Sequence, residues 1–147
     1  MDSALGMNGP VRAESVGVRR QGGGMTKTYS RAEIGALGEQ LAVDHLRGLG
    51  WEILDRNWRC RYGELDVVAA AEDARTLVFV EVKTRTSEQF GGALAAVTRP
   101  KLRRLRRLAG LWLADRDGSW SQVRIDVIAV MVGRSRTPEI THLQGVG

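Results

Sequence analysis

The sequence predicts an α/β fold, a mixed sheet of four to five strands flanked by helices. Three observations predict it. Two segments repeat apolar residues at helical spacing behind clear N-caps. Four segments are dense in β-branched, aromatic and other apolar residues, with turn residues between them. The resulting order is α-β-β-β-α-β with a short final strand, and such interleaving packs helices against a sheet. At 147 residues the chain suits one domain with a core of its own.

The elements follow in order. Residues 1–29 are rich in Gly, Ser and Arg, lack apolar periodicity and read as a disordered segment ahead of a domain at 30–147. Met25, after Gly22-Gly23-Gly24, is a second candidate start. Ser30 and Glu33 have the spacing of a capping box. Ile34, Leu37, Leu41 and Leu49 then recur at helical spacing, with Ala42 and Leu46 beside them, and Gly48 and Gly50 end the helix near Leu49. Strands are expected at Trp51–Arg59, Glu64–Ala70 and Thr76–Thr84, with turns at Arg61–Gly63 and Glu72–Arg75. Thr98 caps a second helix with Pro100 in its first turn, and its apolar face is Leu102, Leu105, Leu108 and Trp112. Val123–Val132 is almost continuously apolar and reads as a central strand, and a short edge strand is expected near Ile140–Leu143.

Composition narrows the function classes. A hydrophobic fraction of 43% with 27% charged residues is that of a globular protein. No apolar run reaches the roughly 20 residues of a membrane helix, and no signal-like apolar segment opens the chain, so no membrane association and a cytoplasmic location are expected. The single cysteine, Cys60, excludes an internal disulfide and a four-cysteine zinc site. The net charge of +5 is local: Arg99, Lys101, Arg103, Arg104, Arg106 and Arg107 crowd the second helix without an acid among them. That patch suits a polyanion. Lys101 and Arg104, three residues apart, are the expected backbone contacts, with Arg103, Arg107 and Arg85 beside them.

The third strand carries the chemistry. In Val78-Phe79-Val80-Glu81-Val82-Lys83, strict alternation puts the three valines on one face and Phe79, Glu81 and Lys83 on the other. If strands two and three form a hairpin, Asp66 lies beside Glu81. The first helix adds Glu39. Converging acids repel unless a cation joins them, and oxygen ligands suit Mg²⁺ or Mn²⁺. Asp66 and Glu81 would hold the metal, and Lys83 would orient a water or stabilise developing charge, which is the chemistry of phosphodiester hydrolysis.

Other residues read as structural. Glu64 is either an extra ligand or a surface acid, with the surface reading favoured, Asp126 is an ion-pair partner of Arg124, and His45, His142 and Cys60 carry no expected role. Trp51 and Trp112 belong to the core.

These motifs resemble a known family. Gly38-Glu39, Arg56-Asn57, Gly63-Glu64-Leu65-Asp66, Phe79-Val80-Glu81-Val82-Lys83-Thr84-Arg85, Phe90-Gly91, Lys101 and Arg124-Ile125-Asp126-Val127 are similar to the hallmarks of the uncharacterised bacterial YraN-like family. Asp66 followed by Glu81-Val82-Lys83 resembles the PD-(D/E)XK nuclease motif, with Leu65 where that superfamily often has Pro. The resemblance spans Ile34 to Leu143. It implies a restriction-endonuclease-like core, metal-binding Glu39, Asp66 and Glu81, catalytic Lys83, a DNA substrate and, by analogy with resolvases, room for a homodimer. A nucleic-acid-binding module that keeps the fold without turnover, or an adaptor whose basic helix binds an acidic partner, are the alternatives.

Overall fold

A computed structural model describes residues 11–12, 29–86, 95, 97–133 and 136–147. Helix α1 runs Arg31–Gly48. Its capping box is formed: Ser30 Oγ accepts from the Glu33 amide at 3.1 Å, and the Ser30 amide donates to Glu33 Oε1 at 3.0 Å. Gly38, Leu41, Ala42, Val43 and Leu46 are its buried residues, whereas Leu49, expected on the apolar stripe, is the C-cap and 42% exposed. The stripe ends one turn early because the chain leaves the helix through Gly50, whose φ of 84° only glycine adopts freely.

The sheet comprises β2 (Glu52–Cys60), β3 (Gly63–Ala70), β4 (Thr76–Arg85), β5 (Gln122–Gly133) and β6 (Arg136–Leu143), to which a two-residue strand, β1 (Val11–Arg12), adds at the β6 edge. The spatial order is β1-β6-β5-β4-β3-β2. β4 and β5 pair in parallel and all other neighbours are antiparallel, so the sheet is mixed. One expectation changes: β6 is longer than its predicted end piece and is covered by β1. Of residues 1–29, all but Val11, Arg12 and Tyr29 lie outside the described residues, as do Phe90 and Gly91. Among the described residues no helix is long and apolar enough to cross a membrane.

Helix α2 (Arg99–Ala114) joins β4 to β5, the crossover that parallel strands require. Thr98 caps it and Pro100 sits in its first turn, as the sequence predicts. The two helices cover opposite faces. On one, Leu41, Ala42, Val43 and Leu46 of α1 pack on Val67, Val78, Val80, Ile128 and Val130. On the other, Leu105, Leu108, Ala109 and Trp112 of α2 pack on Val68, Leu77, Phe79 and Ile125. The alternation of β4 is therefore as read: Val78 and Val80 face α1, and Phe79 faces α2. β5 is central, buried from Ile125 to Ile128, because helices cover both its faces.

Candidate active site at the end of β4

β3 and β4 pair from Ala70↔Leu77 to Val67↔Val80, and there the ladder stops. Continuing it by one step sets Asp66 opposite Glu81. Instead of backbone pairing, Asp66 Oδ2 accepts the Val82 amide at 2.8 Å. The strand turns here too: Leu65 and Val67, which strict alternation places on one face, join opposite core clusters. The carboxyl of Asp66 thus sits where two strands part and lines the pocket on the α1 side of the sheet.

Glu81 is held from the α2 side. Its carboxylate pairs with Lys101 Nζ at 2.7 Å and with Lys83 Nζ at 3.5 Å. Glu81 and Lys101 are 12% and 16% exposed at the side chain, whereas Lys83 is 34% exposed and so is the ammonium open to a substrate. Lys101 also meets a partner that the sequence does not assign to it. The sequence puts it on the nucleic-acid surface with Arg104. The helix angle turns it inward instead, from the first turn of α2 into the carboxylate cluster. Its spacing from Leu105 and Leu108, four and seven residues on, is the available signal, since that spacing belongs to the buried stripe.

Electrostatics mark the same point. Burial raises the Asp66 pKa from 3.8 to about 7, with further upward pressure from Glu81 and from Glu39; only the Val82 amide works the other way. Neighbouring carboxylates disfavour each other's ionisation, and the two lysines offset that at Glu81, not at Asp66. Lys101 titrates below its ordinary value, through burial first and the Lys83 ammonium as well, against the pull of Glu81. Among the described residues no three His, Cys, Asp or Glu side chains gather closely enough to hold a metal ion together. Glu39 reaches Asp66 through its field, from the wall of an adjoining pocket that Arg85 and Asp66 also line.

Gly38 explains how α1 comes so close. A Cβ there would overlap the side chain of Thr84 on β4. The helix can cross β4 next to the motif because position 38 has no side chain, and Glu39 arrives with it.

The remaining predicted residues are dispersed. Arg103, Arg104 and Arg107 are exposed on α2. The Arg107 guanidinium lies 3.9 Å over the ring of Tyr62, at the β2–β3 turn. Glu64 pairs with Arg59 at 3.0 Å on the surface, as expected of a surface acid. Asp126, 0% exposed, takes Arg124 Nε at 2.9 Å, as predicted, but also His142 at 2.8 Å and the Gly145 amide at 2.9 Å. His45 completes the line, 3.1 Å from His142, and its pKa falls to about 4 through burial and then the neighbouring imidazole. The two histidines lie 97 positions apart, so nothing local in the sequence links them.

Comparison with known proteins follows the same outline. The profile of an uncharacterised protein family, UPF0102, matches residues 38–130. A UPF0102 protein of Mycolicibacterium vanbaalenii is 67% identical over 122 residues, which is 83% of this chain and 99% of that protein. One from Mycolicibacterium gilvum is 63% identical over 84% of this chain and 100% of its own length. One from Mycobacterium marinum is 66% identical over 82% and 99%.

Proposed function

The chain belongs to the UPF0102 family, and on that premise we propose that it is a metal-dependent endonuclease of the PD-(D/E)XK type, hydrolysing phosphodiester bonds in DNA. The observation that carries the proposal is the placement of Asp66 next to Glu81 where the β3–β4 ladder ends, with Lys83 and Lys101 both paired to Glu81. A carboxyl pushed to about 7 is a poor structural element and a good place for a cation to replace a proton.

The donor set is all oxygen, which fits Mg²⁺ or Mn²⁺. Asp66 and Glu81 would hold the ion, with Glu39 the nearest further acid on the pocket wall. Such an ion would supply Lewis-acid polarisation of the phosphate and neutralise charge that builds on it. The chain's own groups supply the rest. Lys83, the more open of the two ammonium groups, donates to a phosphate oxygen or to the attacking water. Lys101, paired with Glu81 at 2.7 Å, neutralises that carboxylate and competes with the ion for it. The exposed arginines of α2 hold the strand at its phosphates. The order α1, then the β2–β3–β4 meander, then α2 crossing to β5, supports a restriction-endonuclease-like core for this reading.

A second reading is a DNA-binding module without turnover. It is favoured by Lys101 already neutralising Glu81 at 2.7 Å. Calorimetry with Mg²⁺ and Mn²⁺ separates the two, followed by cleavage assays on single-stranded, duplex and branched DNA. The parent should bind Mn²⁺ and cut, and Asp66→Ala and Lys83→Ala should abolish cutting while leaving DNA binding near the parent value. A folded parent that bound DNA but neither bound Mn²⁺ nor cut any substrate would leave the binding module.

A further inference from the structure

The pocket on the α1 side of Asp66 has a volume of about 710 Å³, within the roughly 300–1,000 Å³ of small-ligand sites. Its lining is two-sided. Arg31 and Arg85 bring cations, Glu39 and Asp66 bring carboxyls at the end nearest the candidate site, Thr84 brings a hydroxyl, and Ile34 and Val82 bring apolar surface.

Two features of this pocket have no structural explanation. Arg85 Nε is buried with no hydrogen-bond partner among the described residues. An unpaired buried donor is costly unless something supplies its acceptor, and a guanidinium matches the oxygens of a phosphate. The second feature is Gly35, inside α1 on the pocket wall. Glycine weakens a helix interior, and here no crowding demands it: a Cβ at position 35 would meet nothing within 4 Å. Gly38, one turn on, is forced by Thr84; Gly35 is not. What the missing side chain leaves is open space in the pocket.

We propose that this pocket receives one unpaired nucleotide of the nucleic-acid strand, its phosphate on Arg85 and its base against Ile34 and the open wall at Gly35. The proposal rests on the nuclease reading, because it sets the nucleotide beside Asp66. It also sharpens that reading. A base stacked and paired in duplex cannot enter a side pocket without being extruded, so the preferred substrates are single strands, flaps and unpaired junction arms.

The test is binding without metal, with EDTA present, so that it is read apart from cleavage. Fluorescence anisotropy follows labelled oligothymidine, a duplex of the same length, and thymidine monophosphate as competitor. The parent should favour the single strand over the duplex by about tenfold, or ~1.4 kcal/mol. Gly35→Leu fills the pocket and should weaken single-strand binding about tenfold while duplex binding stays within about twofold. Its melting temperature should not fall, since leucine is the better helix former. Arg85→Met should weaken the mononucleotide and the single strand alike.

Unchanged single-strand binding in Gly35→Leu overturns the proposal, as does equal weakening on duplex. Binding of the free mononucleotide as tightly as the oligonucleotide overturns it as well, and makes the pocket a site for free nucleotides. The two readings fail separately. A parent that cuts with Mn²⁺ while Gly35→Leu binds and cuts equally well loses only the pocket. A parent that never cuts, with strand binding lost in Gly35→Leu, loses only the nuclease.

Discussion

Replacing Asp66 by asparagine tests the electrostatic reading of the site without any assumption about substrate. The folded Asp66 holds its proton to about pH 7, against 3.8 for an ordinary aspartate. Its folded pKa is raised, so its contribution to stability is fully present below the unfolded value and is lost as pH climbs to the folded one. Between those limits the unfolded chain has released a proton that the folded chain still binds, and stability falls with pH. At about 1.36 kcal/mol per unit, a shift of about three units amounts to roughly 4 kcal/mol by pH 8. The asparagine amide resembles the protonated acid: its oxygen can accept the Val82 amide and its nitrogen can donate to Glu81. In EDTA, Asp66→Asn should therefore match the parent near pH 4 and exceed it increasingly up to pH 8. With an m-value of about 2 kcal/mol/M, the urea midpoint at pH 8 should rise by roughly 2 M. Adding Mg²⁺ at pH 8 should stabilise the parent and not the variant, since the ion relieves the same repulsion. Parallel stability-versus-pH curves for the two proteins would refute the coupled carboxyl cluster, and with it the case for a cation there.

The other expectations are shorter. Lys101→Met removes the ammonium 2.7 Å from Glu81; metal-only calorimetry should show Mg²⁺ affinity up about tenfold, ~1.4 kcal/mol, and weaker binding of the ion would mean Lys101 supports the site rather than competes for it. Gly38→Ala forces α1 away from Thr84, and overpacking of that kind costs about 1–3 kcal/mol, read as a lower melting temperature with secondary structure retained. Asp126 titrates below its ordinary value although its burial works the other way, because His142, Arg124 and the Gly145 amide prevail. Its stabilisation is thus present above the unfolded pKa and lost as pH falls through the folded one, so Asp126→Asn should cost about 3 kcal/mol near neutral pH and flatten the acid limb of the stability curve. Arg104→Gln with Arg107→Gln should reduce the slope of log affinity against log salt by about 0.9 for each arginine that meets a duplex phosphate; an unchanged slope would move the binding face off α2.

How much of this is legible in the sequence depends on the range of the interaction that carries it. Helix caps, turns and the alternation of β4 are local, spanning a few residues, and the sequence by itself determined them: Ser30 with Glu33, Thr98 with Pro100, Val78 and Val80 opposite Phe79. A hairpin is the next shortest range, so Asp66 could be placed against Glu81 from the turn between β3 and β4. Leu49 and Lys101 show where local pattern fails. A residue at helical spacing is buried only if a partner covers that part of the helix, and a cation on a basic helix faces solvent only if no acid lies beneath it. The tertiary structure alone decided those cases. It also decided the Asp126–His142–His45 line, the approach of Gly38 to Thr84, and the pocket between α1 and β4. Each depends on which helix lies on which face of the sheet and at what height. That is set by packing residues far apart in the chain, and no spacing along one segment encodes it.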